Sequence, residues 1–279
     1  MEIIKNDHKL TPEEKWEQAT LANNFIFYKV MRNHQDACKQ LLEMLLGIKI
    51  ESMEMKQEET IALDYDSKGI RLDVFVKDTG RMFDVELQVA NTKELPERAR
   101  YYQGVMDVDT LKAGQKYKEL RDSHVIFICL EDVFHNGLPV NTFANICLED
   151  GKTKFGDRTY KHFFFAPLCA KMIENKEVKA FFEFLISNQA SSSYTDELKT
   201  YVSDAKQSTE NKMQFMTWER QRAYDFEAGA QQKAVEAAVL LIKKYNIEPK
   251  TAAADLNAPL EKVLEAIKQP EETSRGSAI

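Results

Sequence analysis

From Ile70 to Gln88 (IRLDVFVKDTGRMFDVELQ) apolar and polar residues alternate with a period of two, the signature of a β-hairpin with one face in a core. Leu72, Val74 and Val76 fall on one side, and Phe83, Val85, Leu87 and Val89 continue that side after a turn. Asp73, then Asp84, Glu86 and Gln88, fall on the other. Asp78-Thr79-Gly80-Arg81 supplies the turn chemistry, with Gly80 able to take positive φ. Pairing Lys77 with Met82 across the turn sets Asp73 opposite Glu86, roughly 5 Å apart at Cβ. Two carboxylates that close raise one another's pKa unless a cation lies between them, and carboxylates, a carbonyl and water are what Mg²⁺ takes. The plainer reading of the same pattern is a solvated acidic face on an amphipathic hairpin.

Helical periodicity dominates elsewhere. Thr11-Pro12-Glu13-Glu14 starts a helix that continues toward Leu21. Phe25, Phe27, Tyr28 and Met31 cluster in the next segment, and residues 35–46 form a helix with Cys38, Leu41, Leu42, Leu45 and Leu46 on one stripe and Gly47 as its stop. Ile48 and Ile50 suggest a short strand. Met53, Met55, Ile61 and Leu63 alternate with polar residues, and Glu51, Glu54, Glu58 and Glu59 read as solvated, one of them or Asp64 being able to add a metal ligand. Residues 91–111 read as a long helix with Arg98, Tyr101, Tyr102 and Val105 on one face.

Val125 to Leu130 is continuously apolar, as in a strand covered on both sides. Residues 142–148 and 161–168 read as further strands, with turns at Asp150-Gly151 and Gly156-Asp157, and residues 174–186 as a helix. Ala190 to Ser193 marks the best boundary. Beyond it residues 197–205 and 210–245 are helical, and Pro249 breaks the long helix. Residues 250–256 and 259–269, with Asn257 as an N-cap, resemble a small helix-turn-helix, although Lys262 and Lys268 are all its last helix offers a DNA groove. The division expected is residues 1–190 as one α/β domain, 195–270 as a helical C-terminal region, and 270–279 as a disordered tail.

With 43% apolar and 30% charged residues among 279, the composition is that of an ordinary globular protein. The net charge of −7 means that any nucleic-acid contact must use a local basic patch, such as Lys112, Lys116, Lys118 and Arg121, rather than the global field. Cys38, Cys129, Cys147 and Cys169 make no CxxC pair and read as free thiols of a reducing cytoplasm. The N-terminal residues lack the apolar core of a signal peptide, and no window approaches the about 18 apolar residues of a membrane span. The expectation is a cytoplasmic protein with no membrane partner.

The order Asp73, turn, Glu86-Leu87-Gln88 resembles the PD-(D/E)XK nuclease core, with Gln88 where that signature usually has Lys. It is more similar to the recombination-promoting nuclease / transposase family, which itself carries Glu-x-Gln. Arg98-Ala99-Arg100-Tyr101-Tyr102, the segment 114–120, the strand 123–134 and the block 143–157 fit that family in the same order, so the resemblance spans about residues 24–167. It implies a restriction-endonuclease-like α/β fold: a central mixed β-sheet flanked by helices, here with a helical C-terminal extension. It also implies a metal-dependent DNA endonuclease. Asp73, Glu86 and the main-chain oxygen of Leu87 would bind Mg²⁺ (or Mn²⁺), and Gln88 would join Asp73 and Glu86 as the catalytic set. Arg98, Arg100, Tyr101, Tyr102, Gln103 and Lys116 would contact DNA or its phosphates. The competing class is a catalytically weak or inactive DNA- or protein-binding module on the same fold. A transposase of the three-carboxylate kind would need a further acidic residue on a helix over the sheet, and no single candidate stands out. The long C-terminal helix allows a homodimer.

Overall fold

A computed structural model describes residues 10–55, 60–61, 70–71, 74–89 and 93–268, with side chains for all but 60, 61, 70 and 71. Asp73, Leu72, Leu63, the acidic candidates Glu58, Glu59 and Asp64, and the tail 270–279 lie outside the described residues.

The entry helices form where local chemistry places them. Helix α1 is Pro12–Gln18. It stops short of Leu21 because Thr20 accepts the main-chain N–H of Asn23 through its carbonyl and that of Ala22 through its hydroxyl. The Asn23 carboxamide then caps α2 (Asn24–Asn33), accepting from Phe25 and Ile26. Helix α3 (Gln35–Leu46) ends at Gly47, which takes the left-handed conformation with φ of 65°. Ile48 to Ile50 form no strand. The Glu43 carboxylate takes the Ile50 N–H at 2.9 Å, the donor a ladder would need.

One mixed sheet of six strands holds the core. Its strands are β1 (Glu54–Met55), β4 (Val74–Lys77), β5 (Arg81–Gln88), β6 (Asp122–Cys129), β7 (Val140–Phe143) and β8 (Thr159–Phe165). Their order is β1-β4-β5-β6-β8-β7. Neighbours β5, β6 and β8 run parallel, and the flanking pairs are antiparallel. A separate pair, β2 (Thr60–Ile61) and β3 (Ile70–Arg71), is antiparallel. The hairpin has the expected register, Lys77 opposite Met82 and Val74 opposite Val85. Its turn is made differently. Gly80 is not among the positive-φ glycines. Instead the buried Asp78 carboxylate closes the turn, accepting from Arg81 Nε at 3.0 Å and from the Ser52 N–H at 3.2 Å.

Both faces of the hairpin are covered. Helix α2 touches β4 and β5, and Phe182 stacks on Phe164 from α6 (Lys176–Ser187). The other side, expected to be open, lies under α4 (Leu95–Thr110). There Phe75, Met82, Val125, Phe127 and Phe163 pack with Leu95, Ala99, Tyr102, Val105 and Met106. Period-two geometry puts Asp84 and Glu86 on that same side, and they are 0% and 4% exposed. The acidic face is therefore an interior face.

Several boundaries move. Strand β7 ends at Phe143 rather than continuing to Leu148, because Asn145 turns to Asp157 and Cys147 bonds back to Thr153. The Phe-rich run leaves the sheet at Ala166, where Pro167 at the first turn opens α5 (Ala166–Met172). The serine stretch expected as a boundary contains a helix start: Ser192 caps α7 (Ser193–Gln207) in a reciprocal box with Thr195. Helix α8 (Thr209–Tyr245) follows. Pro249 begins α9 (Pro249–Asp255) rather than only ending α8, and α10 (Leu260–Lys268) comes next. Asn257 is not an N-cap but a left-handed turn residue, with φ of 50°.

The described residues form two compact units, one of Glu14–Lys212 and one of residues 213–268 with residues 10–13. Within the second, Val235 and Ala238 of α8 pack with Ala252, Ala253 and Val263 of the last two helices.

Candidate active site

Strand β5 presents Glu86 and Gln88 on the α4 side of the sheet, opposite Phe127 and Cys129 of the parallel neighbour β6. A strand between two others is fixed on both edges, so these side chains have little freedom in where they start. Helix α4 crosses above them and sends down Arg98. The Arg98 guanidinium donates from Nη1 to Gln88 Oε1 at 2.8 Å and from Nη2 to Glu86 Oε2 at 3.1 Å. It also donates to the Tyr102 hydroxyl, one helical turn on, at 2.9 Å from Nη2 and 3.3 Å from Nε. Its carbon Cζ lies 5.3 Å from the Tyr102 ring centroid and 5.5 Å from that of Phe127.

The electrostatics follow from burial. Tyr102 is pushed up to about 12, first by burial and then by the nearby Glu86 charge, against the pull of Arg98. Its phenol keeps its proton at any ordinary pH. Asp84 sits one alternation before Glu86, and its charge also reaches Tyr102. Lys77 and Asp109 form a partly buried ion pair at 3.0 Å on the same side of the sheet.

The expected site residues separate. Glu86, Gln88, Arg98 and Tyr102 converge. The Leu87 side chain is buried on the opposite face, which leaves its main chain between the two polar side chains. Gln103 is buried and donates to the carbonyl and hydroxyl of Ser123, at 3.2 and 3.4 Å. Arg100 and Tyr101 are exposed on the outer face of α4, so Tyr101 and Tyr102 do not share the face expected of them. Lys116 is exposed in the loop after α4, where its N–H is taken by Glu119 ahead of a 3₁₀ turn. That loop contributes Gln115 and Lys118 to a cleft of about 400 Å³ with Thr79, Arg121 and Arg158, at the other end of β5 and β6. Asp84 was visible on the polar side of the alternation, but nothing in the sequence said that this side would be enclosed.

The Glu86 carboxylate and the Leu87 carbonyl are oxygen donors of the kind that suits a hard divalent cation, while Asp73, the further ligand expected, lies outside the described residues. Among the described residues no three His, Cys, Asp or Glu side chains gather into a metal cluster.

A mixed sheet flanked by helices, with Glu-x-Gln on the inner strand of an antiparallel hairpin, defines a nuclease-like α/β protein of the PD-(D/E)XK kind. A family model described as PD-(D/E)XK nuclease family transposase matches residues 22–193, and the chain belongs to that family. No curated protein and no solved structure matches it.

Proposed function

We propose that this chain is a divalent-metal-dependent DNA endonuclease that hydrolyses phosphodiester bonds, acting in recombination or mobile-element movement. The observation that carries the reading is the placement of Glu86 and Gln88 side by side on β5, both bonded to one guanidinium under α4. Family membership supports it. Asp73 directly precedes Val74, and the register of the hairpin supports placing it against Glu86. Asp73, Glu86 and the Leu87 carbonyl would hold Mg²⁺, or Mn²⁺ in its place. Such an ion, when bound, acidifies a water and offsets charge on the scissile phosphate. Gln88 orients the attacking water through its carboxamide but brings no charge, and Arg98 supplies the positive charge that a lysine would have carried. Arg100, Tyr101 and Lys116 are exposed and contact the DNA backbone, whereas Tyr102 and Gln103 serve by holding Arg98 and α4 in place.

Nicking of supercoiled plasmid under Mg²⁺ tests this. The parent chain should cut, and Asp73→Ala and Glu86→Gln should each abolish cutting. An Asp73→Ala protein that cuts as well as the parent would show the reading to be wrong. The competing reading is a catalytically weak or inactive DNA- or protein-binding module. That reading expects plasmid binding without nicking and no heat on Mn²⁺ titration.

Two further proposals concern the molecule's setting. Three buried free thiols, Cys38, Cys129 and Cys169, support a reducing compartment such as the cytoplasm. No helix among the described residues is long and apolar enough to cross a membrane. The exposed middle of α8 supports a homodimer through the C-terminal helices.

A further inference from the structure

We propose that Arg98 is the resident cation of the Glu86 pocket, holding the carboxylate until a divalent ion replaces it and then turning to the substrate phosphate. This rests on the metal-binding reading above. Among the described residues, the contacts of Arg98 fall into two sets. One set, to Glu86 Oε2 at 3.1 Å and Gln88 Oε1 at 2.8 Å, uses side chains that catalysis needs. The other, to the Tyr102 hydroxyl and over the Tyr102 and Phe127 rings, uses groups that take no part in binding metal.

Once engaged with a divalent cation, the Glu86 carboxylate would release the guanidinium, because like charges repel. Arg98 then gives up the first set and keeps the second. Its Nη1 and Nη2 stay aimed at the pocket, and a planar fork of donors fits two phosphate oxygens. The Glu86 side chain is only 5% exposed, so removing one positive neighbour without bringing another is strongly disfavoured. Entry of the ion and release by Arg98 are therefore one exchange. Its consequence is a weakened metal affinity in the resting protein, because the ion must compete with a charge already in place.

Mn²⁺ binding to the full chain, read by electron paramagnetic resonance, tests the exchange directly. Arg98→Gln should bind Mn²⁺ about tenfold tighter than the parent, or more, since a lost competitor of 1.4 kcal/mol already gives that factor. Arg98→Lys, which keeps a charge but loses the fork, should fall between. Both should nick plasmid more slowly. Mn²⁺ should also raise the melting temperature of Arg98→Gln by more than that of the parent. Damage to the fold weakens metal binding, so a gain in affinity separates this role from a merely structural one. Equal or weaker Mn²⁺ binding by both variants overturns the proposal and leaves Arg98 as a brace for Glu86. Glu86→Gln in the otherwise unchanged chain is the separate control. If it binds Mn²⁺ as the parent does, the metal reading itself fails, and the exchange with it.

Discussion

His124 and His162 meet on neighbouring strands of the sheet, His124 Nδ1 lying 3.1 Å from His162 Nε2 and His162 Nδ1 3.1 Å from the Thr142 hydroxyl. Phe83 and Tyr160 stack on the His124 ring. Burial pulls both imidazoles down to about 4, helped by the Arg81 charge for His124 and by His124 itself for His162. The folded state thus favours the neutral rings, and their usual value is about 6.5 when the chain is unfolded. Stability from this pair is complete above that value and falls as the pH drops from 6.5 toward 4. For the nearly buried His162 the full loss is roughly 3 kcal/mol at about 1.4 kcal/mol per pKa unit. Melting curves between pH 7 and 4 should show the parent losing stability more steeply than His162→Gln. At this scale the polar side of β5 was legible from its alternation, and so was the register that aligns Lys77 with Met82. The joining of Arg98 to Glu86 and Gln88 was not. It depends on how far α4 lies above the sheet, and no spacing within the chain encodes that height.

At the scale of elements, α4 contains its own weak point. Gly104 sits inside this helix, is exposed, and an added Cβ would meet nothing within 4 Å. Gly104→Ala should stabilise the protein by about 0.5–1 kcal/mol through helix propensity, read as a higher denaturation midpoint with an unchanged slope. Most elements were legible because their periods are unambiguous, as in the stripe of α3 and the apolar run of β6. The misreadings came from residues with two uses. Pro167 lies in an apolar run that reads as strand, yet proline is equally at home at the start of a helix. Serine marks loops and caps alike, so 190–193 reads as a boundary where Ser192 opens α7. The Ile48–Ile50 strand failed for another reason: a side chain from the preceding helix took the backbone donor first.

At the scale of the whole molecule, α8 is 37 residues long and exposed on every side from Arg220 to Ala230. Tyr224 and Phe226 there are 68% and 65% exposed. So much exposed aromatic surface on one helix suits a partner helix, the second copy proposed above. Sedimentation should give about twice the 32.2 kDa of one chain, and Tyr224→Glu should return the monomer mass. The mixed sheet with flanking helices was legible from the sequence as an architecture. The grouping of α7 with the α/β unit was not, since that depends on contacts such as the Tyr194 hydroxyl to the Ala37 carbonyl, which join distant parts of the chain. The hairpin has one last consequence. Glu86 and Gln88 face Arg98 only because an even number of steps separates them from Met82, which lies under the same helix. One residue inserted after Met82 would turn both toward the opposite layer and bring Leu87 up beneath the guanidinium. Two inserted residues would restore the orientation, so descendants of this chain can lengthen that strand in pairs, and singly only where a bulge absorbs the extra residue.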